Sequence, residues 1–515
     1  TDSDTFTLTF YTNVGDYNIA IGSYALDAIT TATQNVAMGY NALTSLTTED
    51  YNTVIGYAAG QDVVGHSNTL IGRYAGFDAG DIDDCIAIGR DALRGDGSTA
   101  PTGDYNVAIG NYSLDAATTG HSNVAIGYNT LTAATTNHST VAVGHRAMQL
   151  ADGGEHYSVA VGAYALNTEA SGSDGAVAIG YYALKSQDGG TGNVAVGYNA
   201  AKGLDNGSDN VFIGYGVAGG ANTPTGDDNV LIGKNAGYDL ALGYRNIAIG
   251  YQAGFDFTNN HNNVAIGYNA MVAANDGELY NVAIGSGALS NETSGADGCV
   301  AVGYQALQDQ NRADSRNTAV GYQALTNLGS GVTYGGKNNT AVGYTAGGNG
   351  VFGGGTDGGS NVYGSDNTML GYQSGYSIIT GQDNVIIGSF AGDALDEGFS
   401  NVLMGKHAGG AMTDNNYNIA IGAYALSTVA DDADYCVAIG HAALTAQTAN
   451  VKNTAIGGLA GDSITTSDGN TLVGYLAGAT LDTSGNGQQN VAVGHAAMNA
   501  SKGSQNVAIG YGALD

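Results

Sequence analysis

The residues of this chain with the most chemical potential are acidic, and they cluster. Asp81-Ile82-Asp83-Asp84 and Asp431-Asp432-Ala433-Asp434 each place three carboxylates within four positions. Oxygen-rich loops of this kind can hold Ca²⁺. Asp81, Asp83, Asp84, Asp431, Asp432 and Asp434 are therefore the metal candidates, against the plainer expectation of solvated loops. No other cofactor is indicated. The nine histidines show no metal spacing and no nucleophile–base arrangement. Glycoside hydrolysis needs two carboxylates at a set separation, and no repeat singles out a pair. The chain reads as non-enzymatic, with a polysaccharide-cleaving spike as the weakest alternative.

The elements that must position these residues are repeats. The 515 residues include 84 glycines and only 2 prolines. A block of the form NVAIGYNAL recurs 28 times, with central glycines from Gly22 to Gly510 spaced mostly 17 or 18 residues apart. In Asn35-Val36-Ala37-Met38-Gly39, side chains alternate as on a strand, and glycine permits a tight turn. Tyr40-Asn41-Ala42-Leu43 reads as a second short extended piece. The remainder is Thr, Ser, Asp, Asn and Gly, which are loop residues. One such repeat cannot bury its own apolar face, so neighbours must stack. The fold class is all-β: a parallel β-solenoid of about 28 coils, 17–18 residues each, roughly 130 Å long at ~4.8 Å per coil.

Three positions within the repeat carry the pattern. Four residues before the glycine stands Asn in 22 of 28 repeats, among them Asn18, Asn35, Asn52, Asn68, Asn106 and Asn123. In register these form an amide ladder that stabilises the fold. Cys85, Cys299 and Cys436 occupy the same position and read as small buried thiols, too far apart to pair. The second pattern is a size exchange. When the residue four after the glycine is Leu or Met, the residue two before it is always Ala; when it is Gly, the earlier one is bulky in 7 of 10 repeats. Interiors resist overpacking, so the two positions must share one packed space. Val and Ile on the other strand face also look buried, which suggests covering by a partner chain. Third, the residue after the glycine is Tyr in 14 repeats and Arg, Lys or His in 7. That predicts an aromatic stripe at one coil edge, with a glycan or receptor contact as its functional alternative.

The organisation follows. Residues 1–17 precede the array, and Phe6, Leu8 and Phe10 alternate with threonines as on a strand. That strand either caps the first coil or adds to a neighbouring subunit. Repeats fill 18–347 and 367–515. Between them, 348–366 is a glycine-rich break or a degenerate coil. The last repeat carries no polar cap. The chain opens at Thr1 without a signal peptide and reads as a processed product or a fragment. A net charge of −32 with 14 Lys+Arg excludes a nucleic-acid footprint, and no apolar run is long enough for membrane insertion.

The blocks NVAIG, NIAIG and NTAVG followed by YQAL or YNAL resemble the head repeats of YadA-type trimeric autotransporter adhesins. Similar repeats occur in phage tail fibres. The resemblance covers roughly residues 18–514. It implies a left-handed β-roll, usually a homotrimer, on a cell or virion surface. It implies attachment to a host surface, matrix or glycan rather than catalysis. The longer period implies an extra loop on one edge, and no stalk or membrane-anchor strands appear. The alternative is a subunit that polymerises end to end into an extracellular filament through the N-terminal strand and last coil.

Overall fold

In a computed structural model the described residues are 8–9, 15–95, 97, 100–151, 156–169, 174–274, 277–291, 296–310, 315–328, 336–348, 364–429, 433–448, 452–481 and 487–515. The chain divides into two compact units, Thr1–Asn246 and Ile247–Asp515. Each is a parallel β-solenoid, and no helix occurs among the described residues. In the first unit thirteen three-residue strands run from Ile19–Ile21 to Val230–Ile232; in the second, fifteen run from Ile247–Ile249 to Val507–Ile509. Equivalent positions stack without slippage, Ala20 on Ala37 and Ala37 on Val54. This is the expected fold class, at one strand per repeat.

The second half of each block differs from expectation. Tyr40–Leu43 is a turn, not a strand. Its backbone alternates in sign: φ is +141° at Gly39, +54° at Asn41 and +55° at Leu43. An extended piece would carry the chain past its neighbours. Alternate left-handed residues instead fold it back within five positions. The strain of a left-handed leucine is offset by complete burial of its side chain and by a hydrogen bond from its N–H to Ala59 of the next coil at 3.1 Å.

The size exchange is a packing contact within one coil. A Cβ added to Gly237 would stand 2.4 Å from Leu231 Cδ1, and one added to Gly478 would stand 2.7 Å from Leu472 Cδ2. Two of the three exceptional repeats use a further side chain of their own coil: Phe257 lies 2.5 Å from the Cβ position of Gly254, and at Gly461 Ile464 at 3.0 Å joins Leu444 and Leu472 of the adjacent coils at 2.8 and 2.9 Å. The third, Gly347, is filled from adjacent coils by Leu325 and Met369. Gly237→Leu alone should cost about 1–3 kcal/mol by overpacking. Adding Leu231→Ala should restore most of that loss, because this is the Ala–Leu pairing used elsewhere. Denaturation of the single and double variants checks the coupling.

The other strand face is not buried by the chain itself. Only the middle residue of each strand points inward; the flanking Val, Ile, Thr or Met stay half-buried or exposed. Ile88 is 36% and Ile213 37% exposed. Alternation sends both flanking side chains outward, and no second layer of this chain covers them.

Two further expectations receive a local answer. Leu8–Thr9 pairs antiparallel with Ile19–Ile21, Leu8 opposite Ile21, which is the capping arrangement within one chain. Phe6 and Phe10 lie outside the described residues. Strand Thr340–Val342 pairs directly with Thr368–Leu370. No strand therefore stands between these two in the sheet; residues 349–363 lie outside the described set.

Candidate functional site

The buried amide ladder is the most regular constellation. Asn52 is fully buried, and its N–H and Nδ2 both donate to Asn35 Oδ1 at 2.8 and 3.2 Å. Its Nδ2 also donates to Gly65 O at 3.0 Å, and its Oδ1 accepts from Asn68 N and Nδ2. Asn18 begins the run, its Oδ1 accepting from Asn35 N–H and its Nδ2 donating to Ala32 O. Asn106 and Asn123 continue it. Every polar atom of such a rung has a partner, so the ladder holds coils together and offers nothing to a ligand.

The cysteines are rungs of the same ladder, buried and not joined in disulfides. Cys85 N–H donates to Asn68 Oδ1 at 3.0 Å, and Cys85 Sγ accepts from Asn106 N at 3.4 Å. Desolvation pushes the Cys85 thiol up to about 12 and the Cys436 thiol up to about 11. Thiolate is the reactive form, so these cysteines should resist maleimide at pH 7 in the folded protein and react fully in denaturant. Rapid labelling of the native protein would contradict their placement.

A second ladder escaped the sequence reading. Six residues before the central glycine stands Asp, His, Ser or Asn in 19 of 28 repeats, a short acceptor that reaches back to the same position one coil earlier. Asp83 Oδ1 accepts from His66 N at 2.8 Å, Asp104 Oδ1 from Asp83 N at 3.0 Å, and Asp434 Oδ1 from Asn416 N at 2.7 Å. The signal was a run of Asp, Asn, Ser and His at one register, masked by its chemical variety. Asp83 and Asp434 thus have structural duties. Asp81 and Asp84 are placed in the same loop, Asp431 and Asp432 lie outside the described residues, and no metal-holding group of three or more His, Cys, Asp or Glu occurs among the described residues.

In one stretch histidines fill this acceptor position on three successive coils. His138 Nδ1 accepts from His121 N, His156 Nδ1 from His138 N, and Asp174 Oδ1 from His156 N. The rings stack at 4.2 and 4.8 Å. Desolvation first, then the two neighbouring imidazoles, lowers the His138 pKa below its ordinary value. A lowered folded value means the unfolded chain binds the proton more readily. This contribution to stability is full above about pH 6.5 and is lost as pH falls through the folded pKa. His138→Asn, which keeps an acceptor, should flatten that part of the acid loss in a melting series from pH 8 to 5.

The stripe after the central glycine is aromatic and exposed, as expected. Tyr304, Tyr322, Tyr344 and Tyr372 stack at 4.9–5.3 Å with interplanar angles of 5–16°. Cations interleave: Arg90 lies 4.5 Å over Tyr112, and Lys234 Nζ lies 5.7 Å over Tyr215. In continuous runs each ring face is occupied by the next rung, leaving edges and hydroxyls outward. One carboxyl is notably perturbed. Burial, then the charge of Asp91, raises Asp115 to about 6. Asp91 itself is held by Arg90 and Arg94 at 3.5 Å.

No protein-family model matches the chain, and no curated protein is significantly similar to it.

Proposed function

We propose that this chain is a non-enzymatic, self-associating structural or adhesive fibre protein that works outside the cell, on a cell or virion surface. The observation that carries the reading is the outward aliphatic stripe. In the first unit Ile55, Ile88, Ile126, Val161, Ile179 and Ile213 stand 36–40% exposed in one register. Two flanking side chains leave on the order of 100 Å² of apolar surface per coil, so roughly ten coils reach the ~800 Å² per partner of a stable interface. Soluble monomers seldom expose apolar patches of that size. The natural occupant is a second copy, because only the same repeat matches the spacing coil for coil. The resemblance to adhesin head repeats favours three copies.

The pairing of Leu8–Thr9 with Ile19–Ile21 occupies the strand edge that end-to-end addition would use. That weighs against the filament reading. Mass photometry should find a discrete homo-oligomer. Ile88→Glu, Ile126→Glu and Ile213→Glu combined should yield folded monomer, since these side chains are already partly in water. A monomeric wild type, or a variant that remains oligomeric, would sink the proposal. Indefinite filaments in electron micrographs would favour the alternative.

A further inference from the structure

The aromatic ladder has one empty rung. In 24 of the 28 repeats, one of the two residues after the central glycine is Tyr, Phe or His. Of the other four, Arg90 and Lys234 lay a cation on a neighbouring ring. At Gly458 the Tyr475 ring comes within 3.4 Å of the Cβ position, and Leu459 follows. Only Ser286-Gly287 supplies neither ring, cation nor large apolar side chain. The vacancy lies between Tyr268 and Tyr304. Tyr268 stacks on Tyr251 at 5.3 Å and 8°, and Tyr304 on Tyr322 at 5.1 Å and 16°, so each turns its other face into the gap. Tyr268 is 57% and Tyr304 45% exposed.

An open cleft of about 260 Å³ occupies this place. It lies below the ~300–1,000 Å³ of pockets for drug-sized ligands, which suits a single ring. Two rungs of strand spacing put the tyrosines about 10 Å apart. Its lining carries no formal charge and is rich in hydroxyl and amide groups, including Ser286, Asn291 and Gln305. Asn269 Oδ1, also in the lining, is a buried acceptor without a partner. Asn199 Oδ1 shares that state elsewhere, so the missing ring is what distinguishes this coil. Gln305 Oε1 accepts from Gln323 Nε2 at 2.8 Å, which leaves the Gln305 amino group to donate. A flat ring between two aromatic faces needs only about 7–8 Å at optimal carbon contact. A puckered, hydroxylated ring is thicker and matches both the width and the neutral polar rim.

We propose that the Ser286 rung is a binding slot for a neutral pyranose, sandwiched between Tyr268 and Tyr304. This deepens the adhesive reading by naming a ligand class, and it does not depend on the oligomer. The test is saturation-transfer NMR on the full chain with methyl pyranosides of glucose, galactose, mannose and N-acetylglucosamine, and with p-cresol as the flat-ring probe. At least one pyranoside should receive saturation. Ser286→Tyr, the residue found at this position in 14 other repeats, should remove the signal at least tenfold while leaving the melting curve intact. Tyr268→Ala should weaken it similarly. No transfer to any pyranoside, or equal transfer in Ser286→Tyr, overturns the proposal. Binding of p-cresol alone, lost in Ser286→Tyr, overturns the sugar assignment. Mass photometry on the same samples reads self-association separately, so failure of the slot and failure of the fibre reading are distinguishable.

Discussion

Gly72→Ala is expected to cost about 3–5 kcal/mol of local stability, although it adds one methyl group. Gly72 has φ +139°, a conformation that side-chain-bearing residues rarely adopt. The added Cβ would stand 2.3 Å from the carbonyl oxygen and 2.7 Å from the carbonyl carbon of Gly89 in the next coil. Neither atom is the end of a flexible side chain, so relief requires the two coils to separate. Separation would strain the ladder bonds on the adjoining strand, where Thr69 N donates to Cys85 O at 2.9 Å. The loss should be local, because each repeat contacts its neighbours alone. Hydrogen exchange should show the coils around Gly72 opening while distant ones keep their protection. Ala at Gly510, where φ is +129° and the Cβ would meet nothing within 4 Å, should cost clearly less. Equal effects at the two sites would show that backbone conformation, rather than inter-coil contact, sets the penalty.

The second large effect is expected in the amide ladder. Asn52→Ala removes the donor to Gly65 O and the acceptor of Asn68 N–H. Each buried group left unpaired costs about 1–3 kcal/mol, so the pair should cost about 4 kcal/mol. Asn52→Thr should lose less, because Thr140 occupies this position, its N–H donating to Asn123 Oδ1 at 3.1 Å. Asn52→Asp should lose most. It puts a carboxylate where Nδ2 met Asn35 Oδ1 at 3.2 Å and buries the charge without a counter-ion. The expected order of stability is Asn, Thr, Ala, Asp, read by chemical denaturation at neutral pH. An Asp variant as stable as the Ala variant would contradict the donor role of Nδ2.

Much of this was legible in the residues because the chain repeats. One register recurring 28 times averages out local noise, so the amide ladder and the Ala–Leu exchange emerged as positional rules. The acceptor ladder at Asp83 and Asp434 did not emerge. Asp, Asn, Ser and His serve it interchangeably, and their shared feature is a short acceptor rather than a residue type. The turn at Tyr40–Leu43 was misread because alternation of large and small side chains is common to a strand and to a backbone of alternating φ sign. The covering of the Val and Ile face was inferred from hydrophobicity, which marks a surface for burial without saying whether its own chain buries it.

The sequence by itself determined the period, the strand position, the buried Asn rungs and the volume rule between two core sites. These depend on neighbours one coil away, and the repeat places the same neighbours everywhere. Only the tertiary structure decided which strand face looks outward and which glycines close on a carbonyl. It alone showed that the missing ring at Ser286 leaves a cleft. A missing ring is invisible in one repeat; it becomes a cleft when the rungs on either side are stacked about 10 Å apart.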